Sequence, residues 1–252
     1  MTLLLLLPLL ACKKVEPAPA DLDELLHRFW AEYETADDAA MLVSISEALD
    51  IVDVQALAEE FEKGTLTDLT EEEAALVGVT DRDPAQAVGL YLLNVFDCTM
   101  EELEPVLWEP DQASLYEGVY ESYERTFTSS QEDFASGAVD TLSWEVVYEA
   151  KLLGSSYVAE TVGGLRRLPD GALLQRTYLP EPADYDSDNK SFDQDYQIEI
   201  YIEQPGGQML HLYGLWRQAD YGIGDLENDE LQRILLNNLA KWDDETEAAC
   251  GS

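Results

Sequence analysis

The sequence is poor in basic residues: 14 Lys and Arg stand against 53 Asp and Glu, for a formal net charge of −39. A surface of that sign repels phosphates, which excludes nucleic acid as a partner. Histidine is nearly absent, with 2 residues, and cysteine is rare, with 3. No Cys/His zinc spacing, H-E-x-x-H, G-x-S-x-G or phosphate-cradling glycine loop occurs. Acids are so abundant that any two could be paired on paper, so no glycosidase pair is assigned. Long apolar runs are missing too: nothing approaches the ~20 residues of a membrane-spanning helix. These absences point to a non-enzymatic protein. The hydrophobic fraction of 46% is that of a folded chain, and the acidic excess reads as a solvated coat.

The longest apolar stretch is at the start, MTLLLLLPLLACKK. Leu3 to Ala11 is too short to span a bilayer and contains Pro8, but it has the length of a secretory signal core. Leu9-Leu10-Ala11-Cys12 resembles the bacterial lipobox. That resemblance implies a diacylglycerol thioether on Cys12, cleavage before it, and acylation of the new amino terminus by palmitate or a similar chain. Residues 1–11 would be the signal and residues 12–20 a lipidated tether, with Val15-Glu16-Pro17-Ala18-Pro19-Ala20 extended and poor at packing. Such an anchor holds permanently. The expected location is the bacterial cell envelope, membrane-bound through the lipid. Lys13 after the cysteine, in place of Asp, points to the outer membrane. With Cys12 so used, Cys98 and Cys250 remain. An even remainder in an exported protein suggests a disulfide; two buried free thiols are the alternative.

The spacing of apolar residues divides the rest. Residues 21–136 read as a helical region. Leu22, Leu25, Leu26, Phe29, Trp30 and Tyr33 recur at helical intervals after an Asp21/Glu24 capping box. Further helices are expected over Asp37–Leu49, Ile51–Lys63, from Thr70/Glu73, from Asp83-Pro84 to Phe96, from Thr99/Glu102, and over Pro110–Arg125. After Gly137 the period becomes two. Five strands joined by short turns are expected between 142 and 217, the last two linked by Pro205-Gly206-Gly207. A final helix over Glu227–Glu247 carries Leu231, Ile234, Leu235, Leu239 and Trp242 on one side. The predicted class is α+β: an N-terminal helical region, then a five-stranded antiparallel sheet and a long C-terminal helix. Residues 137–252 would pack with the helical region as one body. A sheet followed by one long amphipathic helix resembles the helix-grip, START-like arrangement, which implies a cavity between the two; an ordinary α+β domain with a filled core is the alternative.

Three constellations could carry binding. Asp184, Asp186, Asp188 and Asp195 fall at positions 1, 3, 5 and 12 of a calcium-loop pattern, with Asn189 in place of the usual glycine. Ca²⁺ is the single cofactor this suggests; the alternative is a solvated acidic loop. Arg166, Arg167, Arg176 and Arg217 stand out among so few cations and could grip a carboxylate or phosphate, or simply pair with nearby acids. Trp144, Tyr148, Tyr157, Tyr178, Tyr196, Tyr201, Tyr213 and Trp216 crowd the strands, as a cavity lining or as core. His211 shares a strand face with Tyr213 and Arg217. The expected function is binding of an apolar ligand or an envelope partner. The alternatives are a structural or assembly lipoprotein whose acidic helical half docks a basic protein, or an enzyme whose site is not legible.

Overall fold

The computed structural model describes residues 15–116, 118–152, 155–222 and 228–251. The lipobox and Cys12 lie outside the described residues. The chain forms α1 (Ala20–Glu32), α2 (Asp38–Ile51), a short α3 (Val54–Leu57), β1 (Glu62–Thr65) and α4 (Glu71–Ala75). A 3-10 turn at Pro84–Gln86 leads into β2 (Val88–Asp97), α5 (Met100–Leu107), α6 (Gln112–Leu115), β3 (Tyr120–Phe127) and α7 (Gln131–Ala135). Then come β4 (Thr141–Leu152), β5 (Ser155–Arg167), β6 (Leu173–Tyr178), β7 (Asp184–Tyr185), β8 (Ser191–Gln204), β9 (Gln208–Asp220) and α8 (Asn228–Cys250).

The strands make one antiparallel sheet of nine, in the order β1-β2-β9-β8-β6-β5-β4-β3, with β7 paired to β5. This overturns the expected five-stranded sheet, although the protein is α+β. Three strands come from residues 21–136, which are therefore not a helical region. β2 is buried on both faces and apolar at nearly every position. Such a run carries no period, so a buried strand and a buried helix look alike in sequence. The start signal before it is genuine, since the Asp83 side chain accepts from the Ala85 N–H, but it opens only the 3-10 turn. β3 is an edge strand. Its Arg125 and Phe127 meet Trp144 of β4, a strand alternation that the nearby tyrosines had masked as helical spacing.

The other signals fared unevenly. Both capping boxes, Thr70/Glu73 and Thr99/Glu102, are present. The Asp21/Glu24 box is not: α1 starts after Pro19 with no side-chain cap. The end of the expected tether is held against the sheet, where Thr65 N–H donates to Glu16 O at 3.0 Å and Ala18 N–H to Thr65 O at 2.7 Å. Gly64 allows this approach, because a Cβ there would lie 2.1 Å from Glu16 O. Leu231 and Ile234 of the expected α8 stripe lie outside the described side chains.

The sheet is covered on both faces. On one, Tyr196, Ile198 and Ile200 of β8 and Leu212 of β9 pack with Leu26 and Phe29 of α1. Each such side chain contributes about 1.5–3 kcal/mol on burial, so packing rather than helix propensity holds α1. Gly214 of β9 keeps this layer close: a Cβ there would sit 3.1 Å from Ile198 and 3.6 Å from Leu26. On the other face, Leu236, Leu239 and Ala240 of α8 pack on Leu90, Leu92 and Leu215. Cys98, just after β2, and Cys250, at the end of α8, form a disulfide with their Cα atoms 5.7 Å apart. No helix among the described residues is long and apolar enough to cross a membrane.

Candidate functional site: a cavity beneath the last helix

Strand alternation sends Asp195, Glu199 and Tyr201 of β8 to the sheet face opposite α1. His211, Tyr213 and Arg217 of β9 face the same way, since β8–β9 pairing sets Asp195 against Arg217, Glu199 against Tyr213 and Tyr201 against His211. These side chains line a cavity of about 400 Å³ between sheet and α8, within the ~300–1,000 Å³ usual for small-molecule sites. Leu239, Trp242, Asp243 and Thr246 of α8 form its roof. Tyr123, Trp144, Tyr148 and Tyr157 form a wall from β3, β4 and β5. Gly163 makes room for this wall, because a Cβ there would come within 2.6 Å of the Trp144 indole nitrogen.

Two ionic groups sit in the lining. In the first, His211 Nδ1 lies 2.9 Å from Asp243 Oδ1, while its Nε2 faces Glu199 Oε2 at 3.4 Å with no hydrogen bond formed. Tyr201 stacks on the imidazole with ring centroids 4.3 Å apart. The acids are otherwise occupied: Glu199 accepts from Tyr201 OH and Gln175, and Asp243 accepts from Asn94. Burial alone would lower the His211 pKa, but Asp243 and Glu199 prevail and hold it up at about 9, so the ring is charged at neutral pH. In the second group, Arg217 forks onto Asp195 at 2.8 and 3.2 Å. Tyr213, between the groups on β9, has a buried hydroxyl with no partner.

The expected site residues are scattered over this frame. Arg166 lies in the opposite layer, donating to Tyr33 O, Ala36 O and Asp38. Arg176 pairs with Glu34 and lies over the Tyr33 ring at 4.5 Å. Arg167 binds Glu104. Only Arg217 of the four reaches the cavity. Asp184, Asp186 and Asp188 are exposed on β7 and the turn after it, whereas Asp195 is buried against Arg217, so the four do not converge. Among the described residues no three His, Cys, Asp or Glu are placed to hold a metal ion. The aromatic residues divide: Trp144, Tyr148, Tyr157, Tyr201 and Tyr213 line the cavity, while Tyr178, Tyr196 and Trp216 pack in the α1 layer. Glu199 and Asp243 were not singled out from sequence. Glu199 shares its strand face with Asp195, Gln197, Tyr201 and Glu203, a polar face that reads as solvent-exposed in sequence, so no signal marked it.

No protein-family model and no curated protein matches the sequence. Solved structures do share its fold. A STAR-related lipid transfer protein from Xanthomonas axonopodis is 7% identical, with a TM-score of 0.50 over 77% of this chain and 96% of that one. Human StAR-related lipid transfer protein 5 is 8% identical, with a TM-score of 0.48 over 85% and 96%. A START superfamily protein from Mycobacterium smegmatis is 10% identical, with a TM-score of 0.45 over 65% and 97%. At such identities the likeness is one of fold alone: the Xanthomonas structure, at a TM-score of 0.50, gives the chain a START-like fold.

Proposed function

We propose that this protein is a lipid-anchored carrier of the bacterial envelope that holds one apolar molecule beneath α8. The observation that carries the reading is the cavity of about 400 Å³ with aromatic walls and buried polar groups on its floor. A cavity of this kind suits a ligand that is mostly apolar with a polar end. The Xanthomonas protein of similar fold is named as a lipid transfer protein, and a lipid is the ligand proposed here. The lipobox supplies the anchor: Cys12 would carry the acyl chains, keeping the carrier at the membrane. No group in the cavity is assigned a catalytic role.

Native mass spectrometry of the protein purified from a bacterial envelope tests the carrier. The expected result is a discrete extra mass, in the range of a single lipid, that leaves on denaturation. A bare mass, with no uptake when lipid vesicles are added, overturns it. The anchor has its own test. Cys12→Ser should abolish incorporation of labelled palmitate and release the protein from the membrane fraction; unchanged membrane retention would refute attachment at that residue.

A further inference from the structure

One arginine in the cavity wall has no acid. Arg125 of β3 is half-buried and lines the cavity beside Tyr123 and Trp144. Its Nε and one terminal nitrogen donate to the Tyr123 hydroxyl at 3.1 and 2.7 Å, and the other terminal nitrogen donates to Leu107 O at 2.8 Å. The guanidinium lies over the Trp144 ring, 4.4 Å from its centroid. All of these partners are neutral, and no carboxylate among the described residues pairs with it. The other arginines with described side chains, Arg28, Arg82, Arg166, Arg167, Arg176 and Arg217, each hold an Asp or Glu. In a chain with 53 acids, an arginine without one stands apart. A guanidinium has five N–H donors; five less the three bonds above leaves two, one on each terminal nitrogen. A charge held only by neutral groups at an apolar wall still gains from a counter-ion, and the low dielectric of a cavity strengthens that pairing.

The rest of the lining shows which sign is wanted. Its other cations are taken: Arg217 by Asp195, His211 by Asp243, and Lys151 and Lys241 by Glu121 and Glu245. Its three acids, Asp195, Glu199 and Asp243, are engaged as well, Glu199 by Tyr201 and Gln175. An ammonium entering the cavity would therefore find no free carboxylate, whereas an anion would find Arg125. Size limits the tail. At ~30 Å³ for a group the size of a water, a cavity of about 400 Å³ takes one medium chain and its head, not two long chains.

Resting on the carrier reading above, we propose that the ligand is a single-chain lipid with an anionic head, carboxylate or phosphate, whose oxygens pair with the Arg125 guanidinium. Equilibrium dialysis of the intact disulfide-bonded protein tests this, with laurate, dodecyl phosphate, dodecanol and dodecylamine as probes. At least one anion should bind about tenfold or more tightly than dodecanol and the amine, the factor that one charge-assisted hydrogen bond supplies. The tighter of the two anions identifies the head. Arg125→Gln should abolish the preference for the anion and bind dodecanol as wild type does, which also shows that the cavity is intact. Arg125→Lys keeps the charge without the fork; it should retain a reduced preference for the anion, and it serves if the Gln variant does not fold. If dodecanol or the amine binds as tightly as both anions, or if either variant keeps the full wild-type preference, the anionic-head assignment is wrong while the carrier reading stands. If none of the four probes binds, both fall.

Discussion

His211 joins the roof of the cavity to its floor, and its charge state decides whether that joint holds. Its folded pKa of about 9 lies above the ordinary 6.5. The stabilisation is therefore fully present below pH 6.5 and is lost as the pH rises through 9. A shift of this size corresponds to roughly 3 kcal/mol. Urea-unfolding midpoints should fall from pH 6.5 to 9.5, and His211→Gln should remove most of that slope. His27 is also raised, by Glu73 and Asp23 acting against its burial, so a small slope of the same sign should remain in the variant. A flat wild-type profile would mean that the His211 ring is not charged in the folded state. Arg217 raises the same issue without a proton. Arg217→Met strands Asp195, which is 1% exposed, and should cost about 3–5 kcal/mol. Adding Asp195→Leu to it should restore most of the loss; no recovery would show that Arg217 acts by packing alone. This pair was half legible. The two residues read as a calcium ligand and an anion holder because each was taken with its sequence neighbours. The Pro205-Gly206-Gly207 turn sets the register that brings them opposite each other. The Asp243–His211 contact had no such signal, since it depends on where α8 lies across the sheet.

At the scale of elements, the strands after Gly137 with one polar face were readable, whereas β2, buried on both faces, and the edge strand β3, whose tyrosines also fit helical spacing, were not. β8 alternates Tyr196, Ile198 and Ile200 with Gln197 and Glu199, and its period of two survives because the cavity face is polar. β2 faces the α1 layer with Tyr91 and Leu93 and the α8 layer with Leu90 and Leu92. Apolar on both sides, it loses the period. The helix starts that were read correctly were those with a capping residue and room to continue. α8 roofs the cavity of the proposed carrier, and it is tied at its C-terminal end. Its last turn is bonded to Cys98, and Asp243 and Glu247 accept from Asn94 and the Asp97 N–H. The bond closes a separation of 152 residues, for which the chain-entropy picture gives up to ~5 kcal/mol. Cys250→Ser should lower stability by roughly 2–5 kcal/mol. Hydrogen exchange should quicken first in the last turns of α8 and last in β8. Uniform quickening across the sheet would show that the bond supports the whole body and not this helix.

The whole molecule carries a charge of −39, and its placement separates two kinds of electrostatics. Inside, nearly every charge has a partner at hydrogen-bonding distance, as in Arg217–Asp195 and His211–Asp243. Outside, acids face acids with few cations between them, and their mutual repulsion opposes the compact state. The Debye length is about 10 Å at 0.1 M salt and about 3 Å at 1 M, so added salt screens the outer repulsion while leaving the buried pairs nearly untouched. The melting temperature should therefore rise as NaCl is raised from about 0.02 to 0.5 M. The drop in stability between pH 6.5 and 9.5 should stay almost the same size, because it belongs to the buried His211. If salt instead lowers the melting temperature, surface ion pairs such as Arg28–Glu47 outweigh the repulsion. The same charge bears on how an anchored carrier would meet its membrane. Anionic headgroups push such a body away, so contact would depend on the tether and on salt. A form lacking the acyl chains should float with anionic vesicles less at about 0.02 M salt than at 0.5 M, and with neutral vesicles equally at both. Stronger flotation with anionic vesicles at low salt would mean that a local cationic patch overrides the net charge.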